Sequence, residues 1–356
     1  MKSKYLSVLK NTGSIKLAII FAICITTSLL LLFFSASNPE PIDKPTIKIG
    51  VSQTPLTSPF IVAKHLSLFE QASLNVELVD CFGGVACSEA LIDDQVDFAT
   101  ASESVVMFKS YQTHDIALLA SFVQSTNDLK LLTLNKHLSF DNKSINNSEL
   151  NHLGNTQHKV GIVKGSSSEY YFDTLQIAQG LDTANIEKVY LTPKELVDAL
   201  INKHVDAISI WEPYGYQVNM LSNAPMTNLG IQGIYQLHFN LISKRSRLSQ
   251  INTLEDRQVN KIIVVLEQSI NWINENPDAA MNIVAKHLNV PLNQIKWSWD
   301  DYIFRLSISS TLLSSLQMQS HWAKQQGLVQ GKEPNFREVI FSEPFEEAKS
   351  AMELSW

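Results

Sequence analysis

Arginine is absent from this chain until Arg245, and only three cysteines occur in its 356 residues. Nothing before Arg245 can therefore offer a planar, bidentate guanidinium clamp to a carboxylate or phosphate. An anion bound there has to be held by backbone amides and hydroxyls, which favours a sulfonate-like group or a neutral heterocycle over a multiply charged phosphate. Catalytic signatures are missing too, with no nucleophile elbow, no metal-ligand quartet and no phosphate-cradling GxxxxGK. No catalytic residue, metal site or cofactor is assigned. The net charge is -7; Lys2, Lys4, Lys10, Lys16 and Lys44 against Glu40 and Asp43 give the first 45 residues +3, leaving -10 for the rest. Such an acidic body repels the phosphates of nucleic acid. At 45% hydrophobic, the chain has neither a disordered nor a collagen-like composition and can bury one large core or two smaller ones.

What is present begins with an address. Four lysines precede Leu17 to Phe34, an apolar run of 18 residues relieved only by Thr26, Thr27 and Ser28. As a helix it would span roughly 27 Å, enough for a thin bilayer core. Lysines in front and no matching basic cluster close behind keep the N-terminus inside and export the remainder of the chain. Residues 1–45 are thus expected to be a signal peptide or a membrane anchor, with Ser35 and Ser37 able to flank a cleavage site. A lipoprotein at Cys24 is disfavoured, because apolar residues continue beyond it and Ile23 is bulky. Outside the cell the remaining pair, Cys81 and Cys87 in CFGGVAC, is a disulfide candidate that Gly83 and Gly84 would let close, with free thiols as the alternative.

The chain also repeats itself. Residues 48–101 and 159–210 carry the same order of strand, helix, strand, helix, strand, opening on KIGV and KVGI. ALIDDQVDFATASE (Ala90–Glu103) aligns without gaps to ALINKHVDAISIWE (Ala199–Glu212). Strands alternating with helices predict two open, mostly parallel α/β lobes, whose ligands gather where the carboxyl ends of the strands meet helix N-termini. Lys136 to His158 is weakly patterned and suits a surface connection. From Tyr235 the pattern changes to a strand, YQLHFNLIS, and helices near 255–275, 277–288 and 309–326, broken at Asn276-Pro277-Asp278. These have no partner in the repeat and are expected to pack on the first lobe.

KVGIVKGSSSEYYF, ALINKHVDAISIWEPY, INWINENPDAAMNIVAKHL and YIFRLSISSTLLSSLQMQSHWAKQQGL together resemble the nitrate, sulfonate and taurine type of periplasmic solute-binding proteins, a superfamily that includes binders of thiamine-pyrimidine precursors. The resemblance runs from about residue 46 to residue 348 and lies in order and spacing. It implies a type II periplasmic-binding fold, with lobe one at 46–135 and 237–356 and lobe two at 136–236. It further implies the substrate-binding protein of an ABC importer, partnered by an inner-membrane permease and a small solute in the inter-lobe cleft. Two rivals are a membrane-tethered sensor and an enzyme resembling thiamine-pyrimidine synthases. The latter relies on a CCCFC motif that CFGGVAC does not reproduce.

Candidate contacts emerge from this placement. Gly165, Ser166, Ser167 and Ser168 open a helix and offer free N–H groups and hydroxyls to an anion. The blander reading is that one serine caps the helix. Gln53, Thr54 and Pro55 follow the first strand, and Ser102 and Glu103 the third. Glu103 and its repeat mate Glu212 could attract an ammonium or cap the helices they precede. Trp211 and Tyr214 bring a flat wall with a polar handle. Asp97 and Asp206 precede their strands and read as structural; Trp297, Trp299 and Trp322 read as packing residues.

Overall fold

The computed structural model describes residues 45–136, 138, 158–179, 185–251 and 257–353. The N-terminal signal or anchor, Cys24 and most of the 136–158 connection lie outside them. Among the described residues no helix is long and apolar enough to cross a membrane.

Two sheets organise the rest. The first takes β1 (Ile47–Ser52), β2 (Val76–Cys81), β3 (Phe98–Ser102), β4 (Ile116–Ser125), β10 (Leu237–Lys244) and β11 (Tyr302–Ser307), in the order β11-β4-β10-β3-β1-β2. The second takes β5 (Leu129–Thr133), β6 (His158–Ile162), β7 (Ile186–Tyr190), β8 (Ala207–Trp211) and β9 (Thr227–Asn228), in the order β7-β6-β8-β5-β9. The repeat is visible in both registers. β1 lies parallel between β2 and β3, pairing Ile49 with Phe98 and Gly50 with Ala99. β6 lies parallel between β7 and β8, pairing Val160 with Ala207 and Gly161 with Ile208.

Asp97 and Asp206 are the structural residues expected. The Lys48 amide donates to Asp97 Oδ2 at 2.7 Å, and the Lys159 amide to Asp206 Oδ2 at 2.8 Å. In return each aspartate's own amide donates to that lysine's carbonyl, at 2.8 Å in both halves. Each pair clips a helix-to-strand turn to the start of the neighbouring strand.

The sheets are mixed rather than mostly parallel. β10 runs back between β3 and β4, antiparallel to both; β11 is antiparallel to β4; and β5 enters the second sheet antiparallel to β8. The cause is that the chain passes between the sheets twice, from β4 to β5 and from β9 to β10, and each return reverses its direction. The strand Leu129–Thr133 therefore falls in the second sheet, although it lies before residue 135. The sequence pattern does not anticipate β11, yet YIFRLS alternates buried and exposed at its start, as an edge strand does.

The C-terminal helices lie where residues 47–125 need cover. Gln258–Glu275 packs on the helix Ser58–His65 and on β11, while Ser310–Gln325 packs on the helix Glu103–Gln112. With both faces covered, all ten residues of β4 are buried. One apolar cluster extends from Ile49, Phe60 and Phe122 through Leu131 and Ile162 to Leu266. A second lies under the helices Gly83–Ile92, Glu103–Gln112 and Ser310–Gln325.

Candidate functional site

The repeat brings the carboxyl ends of β1, β3 and β8 and the start of the helix Ser167–Gln179 to one narrow cavity of about 20 Å³, room for a single water molecule. Ser52, Thr54 and Leu56 come from the end of β1 and the turn after it. Gly84 and Val85 come from the first turn of Gly83–Ile92, and Ser102 and Val105 from the β3 junction. The second half contributes Ser166, Ser167 and Trp211; the β4–β5 crossing adds Asp128, and β10 adds Leu237 and Phe239. Three helices of at least ten residues, Gly83–Ile92, Glu103–Gln112 and Ser167–Gln179, begin at this wall. The positive ends of their dipoles lie at this wall, which holds no lysine or arginine and one carboxyl, that of Asp128.

Of the expected contacts, Thr54, Ser102, Ser166, Ser167 and Trp211 are brought together on this wall. Ser102 also caps its helix, accepting from the Val105 amide at 3.4 Å. Ser166 donates to the Val163 carbonyl and accepts from the Ser168 amide. Ser168 is buried and turned away: its hydroxyl donates to the Ser209 carbonyl at 2.6 Å, and Ser209 donates back to the Ser168 carbonyl at 2.7 Å. This reciprocal pair fastens the helix to β8. Gly165, at φ +65°, supplies the left-handed turn into the helix, and its amide donates to Glu169 Oε2. Gln53 is exposed, with its amide on the Cys81 carbonyl; Pro55 is buried in a 3-10 turn; Tyr214 packs edge-on to Trp211 at 6.2 Å. None of the three lines the cavity.

The two glutamates go elsewhere. Glu103 is wholly buried and accepts from the Tyr235 hydroxyl, the Gln319 side chain and the His238 amide, tying the helices Glu103–Gln112 and Ser310–Gln325 to β10. Burial pushes its carboxyl up, against the pull of His238 and of the Tyr235 hydrogen bond. Glu212 does cap its helix, accepting from the Tyr216 amide at 3.1 Å, and also accepts from the Trp297 indole at 2.9 Å. Burial raises its carboxyl as well.

Cys81 and Cys87 stand as buried free thiols rather than a disulfide. The Cys81 thiol donates toward the Val79 carbonyl, and Cys87 accepts from the Thr100 hydroxyl; burial, then Cys81, pushes the Cys87 thiol well up. The glycines between them serve the helix. Gly83 has φ +89°, and a Cβ on Gly84 would lie 3.0 Å from the Ala101 Cα, so the pair lets the helix start close against β3.

Residues not anticipated include Ser52, Gly84, Leu237, Phe239 and, above all, Asp128. Asp128 sits in Ser-Thr-Asn-Asp, which reads as a solvated turn but is a buried passage between sheets. Its Oδ1 accepts from the Tyr302 hydroxyl at 3.0 Å. Burial and the neighbouring Glu212 charge push its carboxyl up to about 7, against Tyr302 and Lys130. Two of the C-terminal tryptophans do more than pack. Trp297 reaches Glu212 at the end of β8, and Trp322 donates to Asp173 Oδ2 at 3.0 Å, so each joins the C-terminal helices to the half built on β6–β8.

Two open α/β halves, crossed twice by the chain and both lining one small cavity, define the periplasmic binding protein fold. Solved structures agree. The periplasmic aliphatic sulphonate-binding protein of Escherichia coli matches with a TM-score of 0.66 at 18% identity, covering 83% of this chain and 92% of that one. The alkanesulfonate-binding protein of Xanthomonas axonopodis pv. citri, bound to MOPS, matches with a TM-score of 0.68 at 18% identity, covering 83% and 98%. By sequence, a putative aliphatic sulfonates-binding protein of Bacillus subtilis (strain 168) is 29% identical over 244 residues, 67% of this chain and 68% of that protein. Residues 40–221 match the NMT1-like family, and the chain belongs to it.

Proposed function

We propose that this protein is the extracytoplasmic solute-binding component of an ABC importer and captures a small solute bearing a sulfonate-type anion between its two halves. The observation that carries this reading is the cavity itself, walled from both halves by hydroxyls and helix N-termini and lacking any guanidinium or ammonium. Such a wall suits a singly charged, diffuse anion better than a phosphate. The relatives described as binding sulfonates support the class. The Ser166 and Ser167 amides and the Ser167 hydroxyl hold the anion, and Trp211 covers the solute's apolar part. At about 20 Å³ the cavity is too small for any such solute. Entry therefore requires the halves to part and then close on the ligand, and the closed form is what a permease recognises. Residues 1–45 direct export, and the chain makes and breaks no bonds.

The test is a thermal-shift panel of short alkanesulfonates, nitrate, sulfate, phosphate and aminopyrimidines. A solute at a hundred times its dissociation constant adds about 2.7 kcal/mol of stability. A shift with sulfonates that Ser167→Ala and Trp211→Ala both weaken is expected; a shift with phosphate or pyrimidines alone would overturn the sulfonate class.

A further inference from the structure

Two carboxyls meet where the halves join. Leu129 pairs with Trp211 at the last rung of the β5–β8 ladder, so Asp128 and Glu212 are the next opposed pair beyond it. Each is 1% exposed. Both flank strands of the second sheet, yet each accepts a hydrogen bond from residues 297–302, which lead into β11 of the first. The Tyr302 hydroxyl donates to Asp128 Oδ1 at 3.0 Å, and the Trp297 indole to Glu212 Oε1 at 2.9 Å. The pair therefore sits on the seam between the halves, fastened to both.

Its charge is poorly balanced. The titratable groups facing it are Lys130 from β5, Asp301 from the turn before β11, and Tyr302 from that strand's first position. Three carboxyls thus share one ammonium, and that ammonium is engaged by the Asn127 carbonyl and lies 3.6 Å from Asp301. Like charges opposed across a ladder are destabilising, the more so when buried. Asp128 Oδ2 has no hydrogen-bond partner among the described residues, and an unmet buried oxygen costs far more on a carboxylate than on a neutral acid. With the halves closed, one proton on Asp128 relieves both faults and leaves Glu212 ionised for its indole. With the halves parted, water solvates both carboxylates and the proton is no longer needed.

Resting on the reading above only in that the halves part and close, we propose that Asp128 and Glu212 form a proton-gated latch. Closure takes up a proton from solvent on Asp128, and loss of that proton drives the halves apart. Burial and then Glu212 push the closed carboxyl up to about 7, whereas in the open form it faces water and returns to its ordinary 3.8. The proton's support for the closed form is complete below 3.8 and is lost as pH rises through about 7. Solute capture then weakens with rising pH whatever the solute.

Small-angle scattering of the protein without solute, at about pH 5 and about pH 8, tests the latch, with circular dichroism to register unfolding. The radius of gyration grows at the higher pH while the helical signal stays constant. Asp128→Asn, neutral at both pH values, remains compact at the higher one. Glu212→Gln keeps the acceptor for Trp297 but not the charge, and its growth is smaller than that of the wild type. A wild-type radius that does not change, growth accompanied by loss of helical signal, or equal growth in Asp128→Asn overturns the proposal. If Asp128→Asn does not fold, undiminished growth in Glu212→Gln overturns it instead. The thermal-shift panel is independent of these outcomes: solute capture with a radius insensitive to pH sinks the latch alone, and a silent panel with a pH-dependent radius sinks the solute reading alone.

Discussion

Glu103 and Glu212 come after matching strands, yet one ties three elements of its half together while the other caps a helix and receives an indole from across the molecule. Equivalent residues diverge because their surroundings do: β10 runs beside β3 and offers Glu103 a backbone amide, whereas β8 has β5 on that side. The consequential acid is Asp128, and its burial makes stability depend on pH. Its folded carboxyl, near 7, lies above its ordinary value of 3.8, so the native state holds the proton more tightly than the unfolded chain. That contribution is complete below 3.8 and disappears as pH rises through about 7. Asp128→Asn escapes the loss. Without solute, its stability should rise relative to wild type between about pH 4 and about pH 8, by up to about 4 kcal/mol. Urea unfolding across that range checks this, and a difference that stays constant with pH would refute it. Asp128 was not legible in sequence because a polar Ser-Thr-Asn-Asp run looks the same whether it turns in water or passes between two buried sheets.

At the scale of elements, the repeat was legible because its signals are local. KIGV and KVGI each open a half, and Asp97 and Asp206, 49 and 47 residues beyond the lysines they clip, each mark its third strand, so the same local signals recur in the same order and spacing. Pairing across distant segments carries no such mark, which is why the antiparallel returns of β10 and β5 and the edge strand β11 emerged only in three dimensions. The matching glycines in β1 and β6 test how far the equivalence goes. A Cβ on Gly161 would lie 2.5 Å from Leu196 Cδ2 and 3.2 Å from Ile208 Cγ2, both side chains buried. On Gly50 the nearest atom, Cys81 Sγ, is 3.2 Å away. Gly161→Ala should cost about 1–3 kcal/mol by overpacking, and Gly50→Ala less. Denaturant midpoints of the two variants would show it, and equal losses would mean the two surroundings yield alike.

For the molecule as a whole, the contacts between halves matter more than either half. Trp322 donates to Asp173 and packs edge-on against Tyr170 at 5.0 Å and Phe108 at 6.0 Å, so three elements meet at one indole. Its place in an amphipathic helix suggested packing, and only the fold reveals what it packs against. Trp322→Phe keeps most of the apolar contact but removes the N–H, leaving Asp173 to Lys188 alone. The closed arrangement then loses roughly 1 kcal/mol relative to the open one. Solute affinity should fall about five-fold, with a larger radius of gyration in small-angle scattering before solute is added. An unchanged radius and affinity would show that the indole hydrogen bond does not hold the halves together.

Both indole–carboxylate pairs would come apart when the halves separate, since each spans them. Tryptophan emission responds to the charge and polarity around the ring, so the protein would carry its own optical gauge of closure. Trp297, already partly in contact with solvent, would change little in hydration and mainly lose its neighbouring charge, whereas Trp322 would pass from a sealed interior into water. The two signals would differ in colour, and an unlabelled sample in a fluorimeter could track capture and release as they happen.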